Sequence, residues 1–512
     1  MNNRPTLTRE LLARDATSLH VRQPTPAMLA LPERAVQFGT GALLRGFVDD
    51  FIDAANARGQ FGGRIVAIGS TGSGRDRAFG AQGGLYTLVV AGRDRDVAVD
   101  TRRIVGAVSR ALSATREWDD VLGVARDPNV RLVFSNTTEA GIALDDRDRV
   151  ELPVPCSFPA KLTRFLYERS ESVRFDRMSF MTVLPCELVE DNGDRLRALV
   201  YEQAARWSLG RAFTTWLDDA VLFCNTLVDR IVPGTPDQAQ RATYCAELGY
   251  DDELLTVAEP YALFAIEGDA ALASRIGILD PLGHIRVVAD LRPYRERKLR
   301  ILNGTHTAMA ALGLLGTMTT VNDAMSAPTL AAVLRTLMRK EIVPVLDVPD
   351  VEKFAEAVLV RFMNPYVQHR LMDIAMQGTL KFRVRLLPLL RRHADAGIGE
   401  LPMLMVLAFA ALLYGAHPEQ RAVRLARHGS LPVDDLGALV HAHWTQDVEN
   451  DTVRFVDAVL RDETIWEHDL RVVPGLAGAL VPHLECLRRD GVEVAMTRAL
   501  REHALTPSAS GA

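Results

Sequence analysis

Apolar positions recur with two different periods along this chain, and the change of period divides it. Up to about residue 290, short apolar runs bounded by glycine or polar turns predict strands. They lie at 34–38 (RAVQF), 64–68 (RIVAI), 84–90 (GLYTLVV), 131–135 (RLVFS), 180–184 (FMTVL), 261–266 and 285–288. Between them, 43–56 and 158–169 carry apolar residues at helical spacing, with Leu44, Phe47, Val48, Phe51 and Ile52 on the first. Strands alternating with helices predict an α/β fold built on a doubly wound sheet. Pro293 breaks the chain, which places a boundary near residue 290. Beyond it, apolar residues fall three and four apart at 309–315, 329–341, 351–362, 368–376, 385–392 and 401–414. That pattern predicts a mostly α-helical second domain over 291–512.

A length of 512 residues is too great for one ordinary core and suits two domains. The most apolar run, 401–416 (LPMLMVLAFAALLYGA), is short for a membrane span and meets His417, Pro418 and Glu419 at once, so it predicts a buried core helix. A net charge of −6 supplies no field for nucleic acid or an anionic membrane. Cys156, Cys186, Cys224, Cys245 and Cys486 are scattered, odd in number and without a CxxC pair. They fit a reducing cytoplasm and offer no zinc framework. The opening MNNRPTLTRELLARD has no apolar signal core. The expectation is a cytoplasmic protein with neither membrane nor nucleic-acid partner.

Strand 34–38 runs straight into Gly39-Thr40-Gly41-Ala42 and then a helix. Strand, glycine turn and helix form the phosphate-binding opening of a dinucleotide fold, in which glycines let the backbone approach a pyrophosphate. Phe38, Gly39, Gly41 and Ala42 are therefore candidate cofactor residues, although Leu44 replaces the third glycine and an ordinary tight turn would read alike. The second strand ends in Gly69-Ser70-Thr71, where an acid would bind the ribose of NAD and an arginine the extra phosphate of NADP. Ser70 is the candidate there. No acid comes before Asp76, and Arg75 or Asp76 could equally be solvated loop residues.

The stretch 294–307, YRERKLRILNGTHT, carries Lys298, Asn303 and His306 among leucines. On an α-helix at about 100° per residue, Asn303 lies roughly 140° and His306 roughly 80° round from Lys298, so all three share one broad face. Burial of that face would favour an uncharged lysine and bring it into the range of proton transfer. Asn303-Gly304 is a poor pair of helix formers, as though something else required it.

The spacing K-x4-N-G-x-H resembles the signature of the mannitol dehydrogenase family, the polyol-specific long-chain dehydrogenases, and most of all its tagaturonate reductase branch. Resemblance implies a Rossmann-like first domain (1–290), NAD as cofactor with NADP left open, and no metal, the lysine acting where zinc does in other alcohol dehydrogenases. It implies Lys298 as general acid or base, Asn303 as donor to the reacting oxygen and His306 as an orienting group. Arg45 stands where the family places an arginine after its glycine turn. The turn SNTTEAG matches the branch and implies that Asn136, Thr137 and Glu139 line the cofactor crevice. PCEL puts Leu188 where mannitol enzymes have a second oxyanion-hole asparagine; nearby Asn192 precedes a glycine and reads as a turn former. Arg295 stands where they have a glutamate for proton exit.

Asp229 and Arg230, within VDRI, are a further family mark and candidate substrate residues, with a strand-end ion pair as the other reading. RFMNP at 361–365 and GTLK at 378–381 resemble two more marks, with Gln377 for the usual acid and Asp373 for a usual arginine. Lys381, Arg383 and Arg385, with His369 nearby, form a basic group suited to a sugar-acid carboxylate, or else a solvated stripe. The expected reaction is NAD(H)-dependent interconversion of a keto-uronate, tagaturonate, and its aldonate, altronate, by a monomer or small homo-oligomer. The alternatives are a sister enzyme acting on fructuronate or a neutral ketose, and a non-redox lyase, epimerase or NAD sensor using Lys298 as a Schiff-base nucleophile.

Overall fold

The computed structural model describes residues 4–15, 21–70, 74–94, 97–137, 141–173, 180–278, 283–366, 369–395, 401–445 and 451–505. The chain divides into two compact units, Met1–Leu291 and Arg292–Ala512. The strands of the first unit are β1 (Glu33–Phe38), β2 (Arg64–Gly69), β3 (Tyr86–Asp94), β4 (Val97–Val105), β5 (Val108–Ser113), β6 (Leu132–Ser135), β7 (Met181–Pro185), β8 (Val221–Phe223), β9 (Thr226–Asp229), β10 (Thr256–Ala258), β11 (Leu263–Glu267) and β12 (Ile285–Val288).

Six of them form one sheet in the order β5-β2-β1-β6-β7-β8, and every neighbouring pair is parallel. The chain starts at the centre and winds outward both ways, which is the doubly wound fold of the α/β class. Both faces are covered. Ala35, Ile65, Ala67, Leu132, Phe134 and Leu184 enter one core. Their sequence neighbours Val36, Val66, Ile68, Val133 and Val183 enter the other. Side chains alternate across a strand, so burial on both faces gives the continuous apolar runs seen in the sequence. Strand β5 (VSRALS) escapes that pattern because it is an edge strand with Ser109 and Arg110 partly outside the core.

The run at 84–90 is a strand, but β3 belongs to a separate sheet, between β10 and antiparallel β4. Likewise β11 lies between parallel β12 and antiparallel β9 in a third sheet. Period marks a strand and says nothing of its partner.

The helix expected over 43–56 is broken into Ala42–Arg45 and Val48–Asn56. Gly46, where a Cβ would stand 2.8 Å from Val232 Cγ1, and Phe47, at φ −137°, make the break. The second piece buries Asp49, Asp50 and Asp53. Burial raises Asp49 from its ordinary value to about 7, against a hydrogen bond from the Tyr86 hydroxyl at 3.1 Å and the charge of Arg45. Its Oδ1 has no donor among the described residues, and neither has Oε1 of neighbouring Gln37. A proton on Asp49 would satisfy both, as would a Gln37 amide turned to donate, the contact that opposes the rise.

The sign follows from linkage. Between the unfolded carboxyl's value and about 7, the native state holds a proton that the unfolded state has lost, so stability falls as pH rises through that window. Asp49→Asn removes this dependence and supplies an N–H for Gln37. Its urea midpoint is expected to exceed the parent's by more at pH 8 than at pH 5. Parallel midpoints at the two pH values would dismiss the assignment.

In the second unit the helix Met403–Gly415 is buried almost throughout and packs against Gly304–Leu315 and Leu476–Asp490. It is the core helix expected from its apolar run, and among the described residues no helix is long and apolar enough to cross a membrane. Its first N–H groups bond a buried carboxylate, Leu404 N to Glu341 Oε1 and Met405 N to Oε2, each at 2.8 Å. Three expected helices change, and of 368–376 only Leu371–Ile374 is helical, with residue 368 outside the described residues. The run 329–341 is α-helical over Pro328–Thr336 and π-helical over Leu337–Ile342, and 385–392 is split at Leu386, so Arg385 ends the helix Gly378–Arg385.

Candidate active site

In the first unit the C-terminal ends of β1 and β6 lie side by side where the sheet reverses its winding, the place doubly wound folds bind ligands. Gly39 follows β1 at φ +136°, and a Cβ there would come within 2.9 Å of Leu44 Cδ1 and 3.1 Å of the Asn136 carbonyl. Glycine is required on both counts. A Cβ on Gly41 would meet nothing within 4 Å, so the turn's outer side is open to a ligand. Ala42, half-buried, starts the short helix. These residues fit a dinucleotide's phosphates. Phe38 does so only through its backbone, since its ring is buried against Phe158 and Phe165.

Arg45 departs from expectation. It is 1% exposed and donates to the Thr40 carbonyl (2.6 Å), Thr256 Oγ1 (2.9 Å) and Thr235 Oγ1 (3.4 Å). Its guanidinium braces the glycine turn from within instead of meeting a phosphate. Asp76 is not a solvated loop residue either. It is buried and ion-paired with Arg116. Ser70 is half-buried just past β2, while Thr71 lies outside the described residues.

After β6, Asn136 donates from Nδ2 to the Cys186 carbonyl (2.9 Å). Thr137 donates from its backbone N (2.9 Å) and hydroxyl (3.1 Å) to Glu187 Oε1, and Ser135 Oγ donates to Oε2 at 3.0 Å. Glu187 thus organises this turn. Its only signal in the sequence was a carboxylate at the end of an apolar strand. Glu139 lies outside the described residues. Leu188 is 61% exposed, and Asn192 does not replace the missing donor. Asn192 is buried, and its amide is spent on the carbonyls of Pro185 and Glu187 (3.1 Å each) and on Thr226.

Asp229 is buried at the end of β9. Arg230 is a structural arginine: it donates to the Glu259 and Gly46 carbonyls (2.9 and 2.7 Å) and to Asp50 Oδ2 (2.7 Å). Arg103 donates to the other oxygen of Asp50 at 2.9 Å. Burial would raise that carboxyl, but Arg103 and Arg230 hold it below its ordinary value. The ion pair is real, but its acid is Asp50 and not neighbouring Asp229.

In the second unit Lys298–Asn303 forms a π-helical turn leading into the α-helix Gly304–Leu315. Bonding from i to i+5 advances each residue by less than an α-helix does, so Asn303 lies nearer in register to Lys298 than roughly 140°. The poor helix formers serve this geometry. Gly304 leaves room for Leu386, whose Cδ2 would be 3.0 Å from a Cβ. Two arginines tie the turn to the end of helix Gly378–Arg385 in opposite directions. Arg300 Nη1 donates to the Val384 and Arg385 carbonyls (2.6 and 2.9 Å). Arg385 Nη1 donates to the Asn303 carbonyl (3.3 Å) and Thr307 Oγ1 (3.1 Å), and Thr307 Oγ1 donates to that carbonyl at 2.9 Å. Lys298 and Asn303 are half-buried. Glu296 is no proton exit: burial would raise it, yet ion pairs to Arg300 (3.1 Å) and Arg392 (2.7 Å) hold it low.

His306 is 6% exposed, with Phe362 at 4.5 Å and the ring of His369 at 5.1 Å, edge-on. Burial first, then His369, Arg361, Arg385 and Lys381, pushes the imidazole well below its ordinary value, so it is neutral. Its Nε2 finds no partner among the described residues, and neither does His369 Nδ1. Two buried ring nitrogens thus stand amid three cations, an arrangement able to hydrogen-bond a polar group. Lys381 also donates to the Ile374 carbonyl at 2.9 Å. Arg383 is not brought into this group; it bonds the Ile465 carbonyl (2.8 Å) and Glu467 (3.1 Å). Arg361 and Arg385 stand there instead. Among the described residues no three His, Cys, Asp or Glu side chains gather as a metal site would need.

Comparison with known proteins follows the same division. The mannitol dehydrogenase Rossmann domain matches residues 33–279, and the mannitol dehydrogenase C-terminal domain matches 290–488. A Bacillus subtilis (strain 168) protein named altronate oxidoreductase is 37% identical over 477 residues, covering 93% of this chain and 96% of that one. Its namesake from Pectobacterium atrosepticum is 39% identical over 480 residues, covering 91% and 96%. In fold, the chain superposes on Pseudomonas fluorescens mannitol 2-dehydrogenase, solved with NAD and D-mannitol, at a TM-score of 0.72 and 22% identity, over 97% of this chain and 100% of that one. A substrate-free D-sorbitol dehydrogenase gives 0.76 and 22% over 96% and 100%.

Proposed function

The chain belongs to the mannitol dehydrogenase family, and on that basis we propose that it is an NAD(H)-dependent oxidoreductase that reduces D-tagaturonate to D-altronate, reversibly. Such an enzyme acts on a CH–OH group through a nicotinamide cofactor. The first unit would hold the dinucleotide at Gly39–Gly41 and the Asn136–Thr137 turn. A nicotinamide bound there supplies the hydride. Lys298 gives a proton to the ketone oxygen as it gains charge, and the Asn303 amide donates to the same oxygen. A donor of this kind is worth about 3–4 kcal/mol where measured. Neutral His306 orients the substrate from its unpaired Nε2, with His369 beside it. Lys381, supported by Arg361 and Arg385, faces the uronate carboxylate.

The observation that carries this reading is the pair of buried, unpaired imidazole nitrogens amid Lys381, Arg361 and Arg385. A uronate carboxylate is a group that such cations would pair with.

The test is nicotinamide absorbance with NADH and NADPH offered in turn to tagaturonate, fructuronate and fructose. NADH oxidation with tagaturonate well above the rest is the expected result. Faster turnover of fructose would move the specificity to a neutral sugar, and silence with every pair would favour non-redox chemistry. A sharper arm is Lys381→Met. Losing a charge-assisted hydrogen bond of about 1.5–3 kcal/mol should raise the uronate KM about 10–100-fold. The KM of any neutral ketose turned over should barely move. An equal rise for both would remove the carboxylate role.

A further inference from the structure

The helix Gly304–Leu315 has a second lined face. Thr307, Ala310, Ala311 and Leu314, three and four residues apart, form one wall of a cavity inside the helical unit. Its volume is about 60 Å³. One water needs about 10–15 Å³ on such a scale, so the space holds roughly four or five heavy atoms. The enclosed part takes a small oxyanion and not a whole six-carbon sugar acid.

Three charged side chains reach this cavity: Arg421, Arg424 and Asp434. The carboxylate is already committed. Asp434 Oδ2 accepts from Thr379 N (2.9 Å) and Oγ1 (2.8 Å), and Oδ1 accepts from Gly437 N (3.0 Å). It starts the helix Gly378–Arg385 and makes no ion pair with either arginine. Arg424 is the poorly satisfied member. Its Nε is buried and finds no acceptor among the described residues. Its guanidinium lies over Gly415, where a Cβ would come within 2.8 Å of Nη2. Burial pushes Arg424 down to about 10, Arg421 adds to the effect, and Asp434 opposes it.

A buried N–H without an acceptor is costly unless something pairs with it. Arg421 and Arg424 are three apart on the helix Pro418–His428 and so share a face. Arginine is the side chain best shaped to grip carboxylate or phosphate oxygens.

We propose that this cavity is a binding site for a small oxyanion the size of phosphate or acetate, gripped by Arg421 and Arg424. Its far wall includes Thr307, which also bonds the Asn303 carbonyl and Arg385, so the occupant lies against the back of the catalytic turn. The site stands whatever ketone the enzyme reduces.

The experiment is the thermal-unfolding midpoint of the full chain at constant ionic strength, with excess NADH present so that a cofactor phosphate site does not compete. Inorganic phosphate and acetate are titrated separately against chloride. Binding raises the midpoint by several degrees at saturation, along a curve that levels off. A response to phosphate alone assigns a phosphate group, to acetate alone a carboxylate, and to both a site that reads charge. Arg421→Gln should abolish the rise, and so should Ala416→Met, which fills the cavity without touching a charge. If Arg424 only faces the carbonyl end of helix Met403–Gly415, Arg424→Gln lowers the midpoint and leaves the anion response intact. That result would overturn the site. So would the absence of any saturable rise, or a rise that persists in both Arg421→Gln and Ala416→Met.

Discussion

Replacing Lys298 by alanine is expected to slow turnover by about 10³-fold or more while NADH affinity stays within about twofold. A positioned acid or base contributes about 10²–10⁴, and two neighbouring groups are poorly placed to take over. The nearest carboxylate in sequence, Glu296, is locked between Arg300 and Arg392, and His306 is neutral and buried. Steady-state absorbance gives the rate and fluorescence titration gives the cofactor affinity. The half-buried position in the π-turn should tolerate the substitution, so the melting temperature is expected to hold. Near-normal turnover would remove Lys298 from proton transfer. If borohydride instead trapped substrate on Lys298 in the parent enzyme, the residue would be a nucleophile and the reaction no simple reduction.

The second large effect is on stability. Asp50→Ala leaves Arg103 and Arg230 facing each other in a buried site without their shared carboxylate. Breaking a buried pair by removing one partner costs about 3–5 kcal/mol, and here two cations lose the same acid. The urea midpoint should fall accordingly. Arg230→Met is the matched control for function. It should lower stability, by less because Arg103 still pairs with Asp50, and leave the uronate KM unchanged. A raised KM with an unaltered midpoint would restore Arg230 to the substrate.

Much of the fold was legible in the chain because strand and helix periods are local. Central parallel strands such as β1 and β2 read as apolar runs since both of their faces are buried. Strand β5 did not, because its polar residues sit at the sheet edge. The break at Gly46–Phe47 was hidden, since Leu44, Phe47, Val48, Phe51 and Ile52 keep helical spacing across it. The motif at Lys298 was legible, but its geometry was not. An α-helix sets Asn303 well round from Lys298, whereas the π-turn, tied by Arg300 and Arg385 to a helix some 80 residues away, draws it back.

The sequence by itself determined the α/β class and the place where glycine is indispensable, because period and the lack of a Cβ are properties of neighbouring residues. Only the tertiary structure decided which arginines are spent on the protein's own acceptors. Arg45 finds Thr256 across 211 residues, Arg230 finds Asp50 across 180, and Arg383 finds Ile465 across 82. A guanidinium on a long flexible stem takes whichever acceptor the fold brings within 3 Å, and that acceptor is invisible to its neighbours in the chain.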